Sequence, residues 1–342
     1  MEQVNRGVAP GGKTASAEGE PRGNRGGDAR GRTPWTRGRV LASLAVPVAG
    51  LLAFHSAVPN TVGNLGSLLE TFLPWLGLTV PVLLVLALLR RSATATAATV
   101  LPAAAWAVLF GGLLPPTGPE APYDLTVVQH NVNDENPDPA GTARALAQAG
   151  ADLIALEELT PGALPVYGAA LASGHPHRAV VGTVGLWSRH PLVDPRPVDI
   201  KPKDIEADWS RGLRAVVRGP SGDIAVYVAH LPSVRIGLPS GFSSGRRDES
   251  AAALGAAIGA EKLDRVILMG DLNGTLDDRG LAPVISRMTP AEEGFGFSWP
   301  AALPLARIDH VMTRAATPVT TWALPPTGSD HLPIAARIKI WP

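Results

Sequence analysis

Beyond residue 120, six short apolar stretches each end in, or run into, side chains that bind cations or move protons. Asn131 and Asn133 follow Leu125–Val128, and Glu157 and Glu158 follow Leu153–Leu156. His230 ends Ile224–Ala229, Asp271 and Asn273 end Val266–Met269, and Asp309 lies inside Ile308–Met312. Asp330 and His331 lead into Ile334–Ile338. Taken singly, each has a plain structural explanation: an asparagine caps a turn, an acid solvates a strand end, a histidine hydrogen-bonds in a strand. Six strand ends carrying such groups together are not explained that way. Carboxylates, amide oxygens and imidazoles are hard donors, the set preferred by Mg²⁺ or Mn²⁺. The Asp271-Leu-Asn-Gly segment is not a calcium loop, because its sixth position is Leu276 and its twelfth Ala282. The chain has no cysteine, which excludes a thiolate zinc site, a cysteine nucleophile and a disulfide scaffold.

To bring these groups together, the chain must fold so that the ends of distant strands meet. Leu125–Val128, Leu153–Leu156, Gly185–Ser188, Leu213–Val217, Ile224–Ala229 and Val266–Met269 are brief, apolar and rich in β-branched residues, with turns at their ends. Ile308–Met312 and Ile334–Ile338 read as late strands, Thr142–Gln148 and the alanine-rich Glu249–Leu263 as helices. Strands mixed with helices, several of them hairpin-like, indicate an α/β sandwich and not a purely parallel wound sheet. Loops at strand ends of such a scaffold can gather distant residues into one site.

The part before residue 120 has a different character. Residues 1–39 mix Gly, Arg, Pro, Ser and Thr with almost no large apolar side chain, and they predict a disordered basic tail. Three uncharged apolar runs follow, about 40–58, 71–89 and 95–114, each near the ~20 residues a helix needs to cross a bilayer. Arg37 and Arg39 precede the first run and Arg90 and Arg91 separate the second from the third, while the remaining connection has no Lys or Arg. The positive-inside rule then predicts a cytoplasmic N-terminus, three crossings of the cell membrane, a linker at 115–122 and an extracytoplasmic domain at 123–342. The formal net charge is zero, yet residues 1–119 hold ten Lys/Arg against five Asp/Glu, and residues 120–342 twenty against twenty-five. An acidic outer domain speaks against a general nucleic-acid binder, so no nucleic-acid partner is expected.

The motifs Gln129-His-Asn-Val-Asn, Ala151-Asp-Leu-Ile-Ala-Leu-Glu-Glu, Val228-Ala-His-Leu, Gly270-Asp-Leu-Asn, Arg307-Ile-Asp-His and Ser329-Asp-His-Leu-Pro occur in that order. In this order they resemble the endonuclease/exonuclease/phosphatase superfamily, across essentially all of 123–342. The whole arrangement, helices included, is similar to VanJ-type membrane proteins linked to resistance against teicoplanin-like glycopeptides. The resemblance implies transmembrane helices followed by a four-layer, deoxyribonuclease I-like α/β sandwich. It implies that Glu158 and Asn131, with Asp330 nearby, hold Mg²⁺ or Mn²⁺. It further implies that Asp271 and Asn273 position the phosphate and the attacking water, that His331 is the base oriented by Asp309, and that His230 donates to a phosphoryl oxygen. Two positions depart from the pattern: Glu157 stands where the family usually has glutamine, and His310 where an aromatic is common.

The expected function is therefore a membrane-anchored metal-dependent phosphoesterase or pyrophosphatase acting on a lipid-linked phosphate, with undecaprenyl pyrophosphate the leading candidate. The alternatives are a nuclease, a phospholipase C-like phosphodiesterase, and a non-catalytic membrane protein that binds an antibiotic or a wall precursor. Arg246 and Arg247 are candidate phosphate contacts, although adjacent arginines at a helix start are often merely solvated. The segment between His230 and Arg246 carries Val234, Ile236, Leu238 and Phe242, and either rests on the membrane or tucks into the core.

Overall fold

The computed structural model describes residues 38–114, 121–205, 208–237, 241–291 and 294–340. The expected tail, most of the linker and Leu238 lie outside the described residues. The N-terminal part forms α1 (Arg39–Ala53), α2 (Leu65–Thr71), α3 (Thr79–Leu89), α4 (Ala93–Ala98) and α5 (Val100–Phe110). Ser92 starts α4 as an N-cap, its hydroxyl accepting from the Ala95 amide at 3.2 Å. The second apolar run, expected as one span over 71–89, is broken. α2 ends at Thr71, a 3₁₀ turn covers Leu73–Leu78, and the two limbs meet at 66°. Pro74 sits at the start of that turn, where its missing N–H costs nothing and its ring cannot continue the preceding helix. Among the described residues, Ala93–Leu113 is the single helix long and apolar enough to cross a membrane, and the bent pair Leu65–Leu89 makes a second if counted as one span. α1 has 15 residues. The structure thus supports fewer full-length spans than the three expected.

Behind the helices the chain builds two six-stranded sheets. Its elements are β1 (Leu125–Asn131), α6 (Pro139–Gln148), β2 (Leu153–Glu157), α7 (Leu164–Leu171), β3 (His177–Val181), β4 (Val184–Ser188), β5 (Leu192–Pro197), β6 (Gly212–Gly219), β7 (Gly222–Ala229), β8 (Ile236–Gly237), β9 (Gly241–Phe242), α8 (Gly245–Gly259), β10 (Val266–Asp271), α9 (Ala282–Ile285), β11 (Thr289–Pro290), β12 (Asp309–Arg314), β13 (Ala316–Ala323) and β14 (Ile334–Ile340). One sheet has the order β13-β14-β1-β2-β4-β3 and the other β11-β12-β10-β7-β6-β5. β1 runs parallel to β2 and β10 parallel to β7, and each is flanked on its other side by an antiparallel strand, β14 or β12.

The strands are apolar on both faces because both faces are covered. Between the sheets Val127, Leu153 and Leu186 pack against Val226, Ile267 and Val311. Outside the first sheet, Leu146 of α6 and Tyr167 and Leu171 of α7 cover Ile154 and Trp187. Outside the second, Leu254 and Ile258 of α8 and Val284 of α9 cover Tyr227, Leu268 and Met312. Each such fully buried aliphatic side chain contributes roughly 1.5–3 kcal/mol. The result is a helix–sheet–sheet–helix stack. In it β1, β2, β7 and β10 all end at one edge, and antiparallel β12 begins there, with Asp309 opposite Asp271 in the ladder. β14 begins at the same edge, Ile334 opposite Gln129, so Asp330 and His331 precede it at the rim.

The helical part docks on that rim. Glu70, 1% exposed, receives Arg279 at 2.7 Å, and the Arg279 guanidinium also donates to the Val58 and His55 carbonyls. Trp75 Nε1 donates to the Leu305 carbonyl at 2.7 Å. The β8–β9 hairpin is tied down as well: the Phe242 amide donates to the Gly63 carbonyl and Asn64 Nδ2 donates to the Phe242 carbonyl. Gly63 and Gly241 both have positive φ and touch backbone to backbone, and a Cβ on Gly241 would stand 2.4 Å from the Gly63 Cα. Of the hairpin's apolar side chains, Phe242 is buried in this junction and Ile236 is exposed, so the segment divides between the two expectations.

Candidate active site

Asn131, Glu158, Asp271, Asn273, Asp330 and His331 all line one cavity of about 590 Å³ at the converging strand ends. Asn133, Asp134 and Trp299 share its walls, and so do Thr71 and Phe72 from the helical part. His230 and Asp309, each 0% exposed, lie beneath it, His230 against Glu158 and Asp271 and Asp309 against His331. Three cavity residues, Asn133, Glu158 and Asn273, have φ of 61°, 61° and 48°. That region is tolerable for asparagine but uncommon for glutamate, and such backbone gathers at functional sites.

Two hydrogen-bonded sets meet on Asp271. In the first, Asp309 Oδ2 lies 2.8 Å from His331 Nδ1, which leaves His331 Nε2 facing the cavity, 3.9 Å from Asp271 Oδ2. Burial opposes charge on both members, yet their mutual attraction wins: the Asp309 carboxyl is held below its ordinary value and His331 is pushed up to about 10, with Asp271 adding to the effect. In the second, Asn131 Nδ2 donates to Asp271 Oδ2 at 3.1 Å, and the Asn273 amide donates to Oδ1 at 2.9 Å. Asn273 Nδ2 also donates to the Leu231 carbonyl, which fixes its side chain. Burial, reinforced by the neighbouring Asp309 charge, raises Asp271 to about 7.

His230 Nε2 is 3.7 Å from both Glu158 Oε1 and Asp271 Oδ2. Arg211 Nη1 lies 3.2 Å from its Nδ1 and 3.4 Å from its Nε2. Burial, then the Arg211 charge, hold His230 well below its ordinary pKa, so the ring is neutral.

The two adjacent acids separate cleanly. Glu158 reaches the cavity, one-quarter exposed, and accepts from the Asp134 amide at 3.1 Å. Glu157 is fully buried beneath the cavity, accepting from Gln129 Nε2 at 2.7 Å while the same amide donates to Asp309 Oδ1 at 3.0 Å. Burial and the nearby Asp309 charge push the Glu157 carboxyl well above its ordinary value, which favours its uncharged form. Surroundings of that kind suit the neutral glutamine that is usual at this position. His310 has a local explanation too: its Nε2 donates to the Gly274 carbonyl at 2.8 Å and braces the loop after β10.

The arginine candidates part company. Arg246 is exposed, paired with Asp204 at 2.8 Å, and lines a neighbouring cavity with Arg211 and Arg235. Arg247 is 0% exposed and fully engaged by Asp248, Asp278 and the Asn273 carbonyl, so it is a brace for the catalytic loop and not a surface for substrate. Arg211 and Gln129 were not among the expected site residues. The Ser210-Arg211-Gly212 turn ahead of a strand was the available signal for the first. Gln129 opens the first motif, but the motif assigns it no role, because what it does depends on the strands that bring Glu157 and Asp309 to it. Ser329 is a further unforeseen member: its hydroxyl donates to the Asn131 carbonyl at 2.7 Å and accepts from the His331 amide at 3.0 Å, which locks two site loops together.

A family model, Endonuclease/Exonuclease/phosphatase family, matches residues 128–331. The chain belongs to this family. Its members are metal-dependent phosphoester hydrolases, so the motif order and the strand-end site have a common origin. No curated protein sequence matches the chain. Among solved structures, a Bacteroides thetaiotaomicron protein of the family has TM-score 0.52 and 16% identity, covering 64% of this chain and 98% of its own. A conserved Enterococcus faecalis protein of unknown function has TM-score 0.52 and 13% identity, covering 64% and 100%. A Staphylococcus aureus beta toxin variant with bound magnesium ions has TM-score 0.50 and 16% identity, covering 63% and 99%. At such identities the likeness is one of fold.

The donor chemistry suits a hard divalent cation. Asp271, Asp309 and His331 place ligand atoms within 4.8 Å of one another, but Asp309 and His331 already satisfy each other. Glu158 and Asn131, with the far side of Asp271, offer oxygens not committed to that pair. Buried acids beside one another, with Asp271 and Glu157 both raised, are what a bound cation would relieve.

Proposed function

We propose that the chain is a divalent-metal-dependent phosphoesterase that hydrolyses a lipid-linked phosphate at the outer face of the cell membrane, with undecaprenyl pyrophosphate the leading substrate. One observation carries the lipid assignment: Thr71 and Phe72, from the bent apolar helix pair, form part of the wall of the catalytic cavity. A soluble substrate needs no such wall. A lipid phosphate has its charged group and its chain in adjoining media, and a cavity lined by polar strand ends and by Thr71 and Phe72 suits both.

Glu158 and Asn131, with Asp330 at the rim, are the residues to hold Mg²⁺ or Mn²⁺, which when bound neutralises charge on the phosphoryl oxygens. His331 Nε2 faces the cavity as the base for the attacking water. The carboxylate charge of Asp271, which helps keep the ring protonated, would be offset by a cation held beside it. Asp309 fixes the ring and stabilises the imidazolium that forms. Asn273 and Asp271 orient that water and the phosphate. Neutral His230, braced by Arg211, donates a hydrogen bond to a phosphoryl oxygen. Water is the nucleophile, so no covalent enzyme intermediate forms.

Removal of a carrier-lipid phosphate would feed the cell-wall cycle that glycopeptides block, which links this activity to teicoplanin-type resistance. The test is purified full-length protein with Mg²⁺ or Mn²⁺ and a panel of lipid pyrophosphates, phospholipids and DNA, measuring released phosphate, diacylglycerol and cut strands. Phosphate release from the lipid pyrophosphates alone is expected. Cleavage confined to DNA or phospholipid would reject the assignment.

A further inference from the structure

An apolar groove of about 410 Å³ lies where the helical part meets the sandwich, between the 3₁₀ turn Leu73–Leu78, α5 and the Phe295–Phe297 strip. Trp75 stacks on Phe297 at 5.2 Å and Trp106 on Phe295 at 6.2 Å, so four aromatic rings furnish its surface. The polar atoms there are spoken for: Trp75 Nε1 donates to Leu305 and Trp106 Nε1 to Pro74. With no donor left over, a polar ligand entering the groove would lose its water and gain no partner.

Two chain segments run from the catalytic cavity into this groove. Phe72 lines the cavity and Pro74 and Trp75 line the groove; on the facing side Trp299 lines the cavity and Phe295 and Phe297 the groove. A smaller cavity between them shares Thr71 with the first and Pro74, Phe295 and Phe297 with the second. Trp299 Nε1 lies 3.4 Å from Asp330 Oδ2, so the same strip touches the proposed metal rim.

We infer that the groove holds the hydrocarbon chain of a long-chain lipid phosphate whose phosphate occupies the catalytic cavity. The inference rests on the proposed lipid-phosphate activity, and it makes the groove the element that selects chain over headgroup.

The probe is a long-chain alkyl phosphate brominated along its chain, added to the full-length protein in detergent, with tryptophan fluorescence as the signal. Saturable quenching is expected, displaced by the unbrominated alkyl phosphate and reduced in Trp106→Phe, with Trp75 carrying the remainder. Filling the groove with Ala103→Leu, or independently Val80→Phe, should weaken half-saturation at least about tenfold. Neither variant touches the catalytic groups, so turnover of a short water-soluble phosphate ester should stay within about twofold, which also reports that the variant is folded. Unaltered half-saturation in both filled variants would overturn the inference. So would equal quenching by brominated phosphatidylcholine that alkyl phosphate cannot displace, since that is bulk lipid. Binding without hydrolysis of any lipid phosphate would leave the groove standing and reject the proposed activity; hydrolysis unaffected by filling would do the reverse.

Discussion

Glu157 and Glu158 are neighbours in sequence with opposite circumstances, and the contrast yields the sharpest tests. Glu158→Gln keeps size and removes the one cavity-facing charge of the pair, and activity should fall at least about a hundredfold. Glu157→Gln should change activity little, because the carboxyl is buried beneath the cavity and its surroundings favour the uncharged form. Its effect belongs to stability. A carboxyl whose folded pKa is raised binds its proton more tightly folded than unfolded, so its contribution falls as pH rises past the unfolded value. Glu157→Gln should therefore raise the melting temperature more at pH 8 than at pH 5; an unchanged difference across that range would mean the carboxylate is ionised in place. Asp309→Asn removes the charge that sustains His331. The imidazole pKa, read by NMR, should drop, and the rate should fall by about 10²–10⁴. Loss of rate without a change in the His331 titration would remove Asp309 from the proposed role.

The elements explain what could be read from the sequence and what could not. Central strands such as β1, β7 and β10 announce themselves because burial on both faces demands continuous apolar residues. Edge strands do not: β5 is largely exposed and reads Leu-Val-Asp-Pro-Arg-Pro, and β13 alternates Thr and Pro with small residues. The helix expected at Glu249–Leu263 runs Gly245–Gly259 instead, because Ser244 and Asp248 bond to each other across its first turn and carry helix through Gly-Arg-Arg. The site was legible wherever one residue type served one purpose, as at Asp271 and His331. Gln129 and Arg211 act through pairings that no local pattern displays. One such pairing is open to measurement. Arg214 of β6 grips Glu261, beyond α8, through two bonds of 2.9 and 3.1 Å, and Tyr227 of β7 donates to the same carboxylate. Burial opposes that charge, but the Arg214 bonds prevail and Glu261 falls to about 2. Its stabilisation, about 3 kcal/mol, is complete above the unfolded carboxyl pKa and is lost as pH falls toward the folded one. Glu261→Gln should thus lower the melting temperature near neutrality and converge with the parent protein by about pH 2. A constant gap would show that the ion pair carries no such term.

At the scale of the whole molecule, the apolar helices and the catalytic sandwich act as one object only if their junction is firm and correctly oriented. Orientation is a question of topology: a reporter active only outside the cytoplasm, fused after Tyr123, should be active, and activity of a cytoplasm-only reporter there would invert the assignment. Firmness depends on Glu70 and Arg279, which join α2 to the loop after β10. Glu70 is 1% exposed, and Arg279 also satisfies two carbonyls of the helical part. Arg279→Met leaves the buried Glu70 carboxylate with His55, 3.2 Å from its Oε1, as its remaining side-chain partner, at a cost of up to about 3–5 kcal/mol, and should lower the melting temperature. Glu70→Met combined with it removes the stranded charge, so the double variant should recover most of that loss. Recovery of function should be incomplete. Thr71 and Phe72 follow Glu70 directly in the cavity wall, and without the ion pair the hold on the end of α2 against the loop that carries Asp271 and Asn273 is reduced to weaker contacts such as the 3.3 Å bond from the Thr275 hydroxyl to the Glu70 carbonyl. The KM for a lipid pyrophosphate should then remain raised in the double variant while turnover of a soluble ester is normal. A double variant equal to the parent on both substrates would show that packing alone sets the junction and that the ion pair is dispensable to substrate presentation.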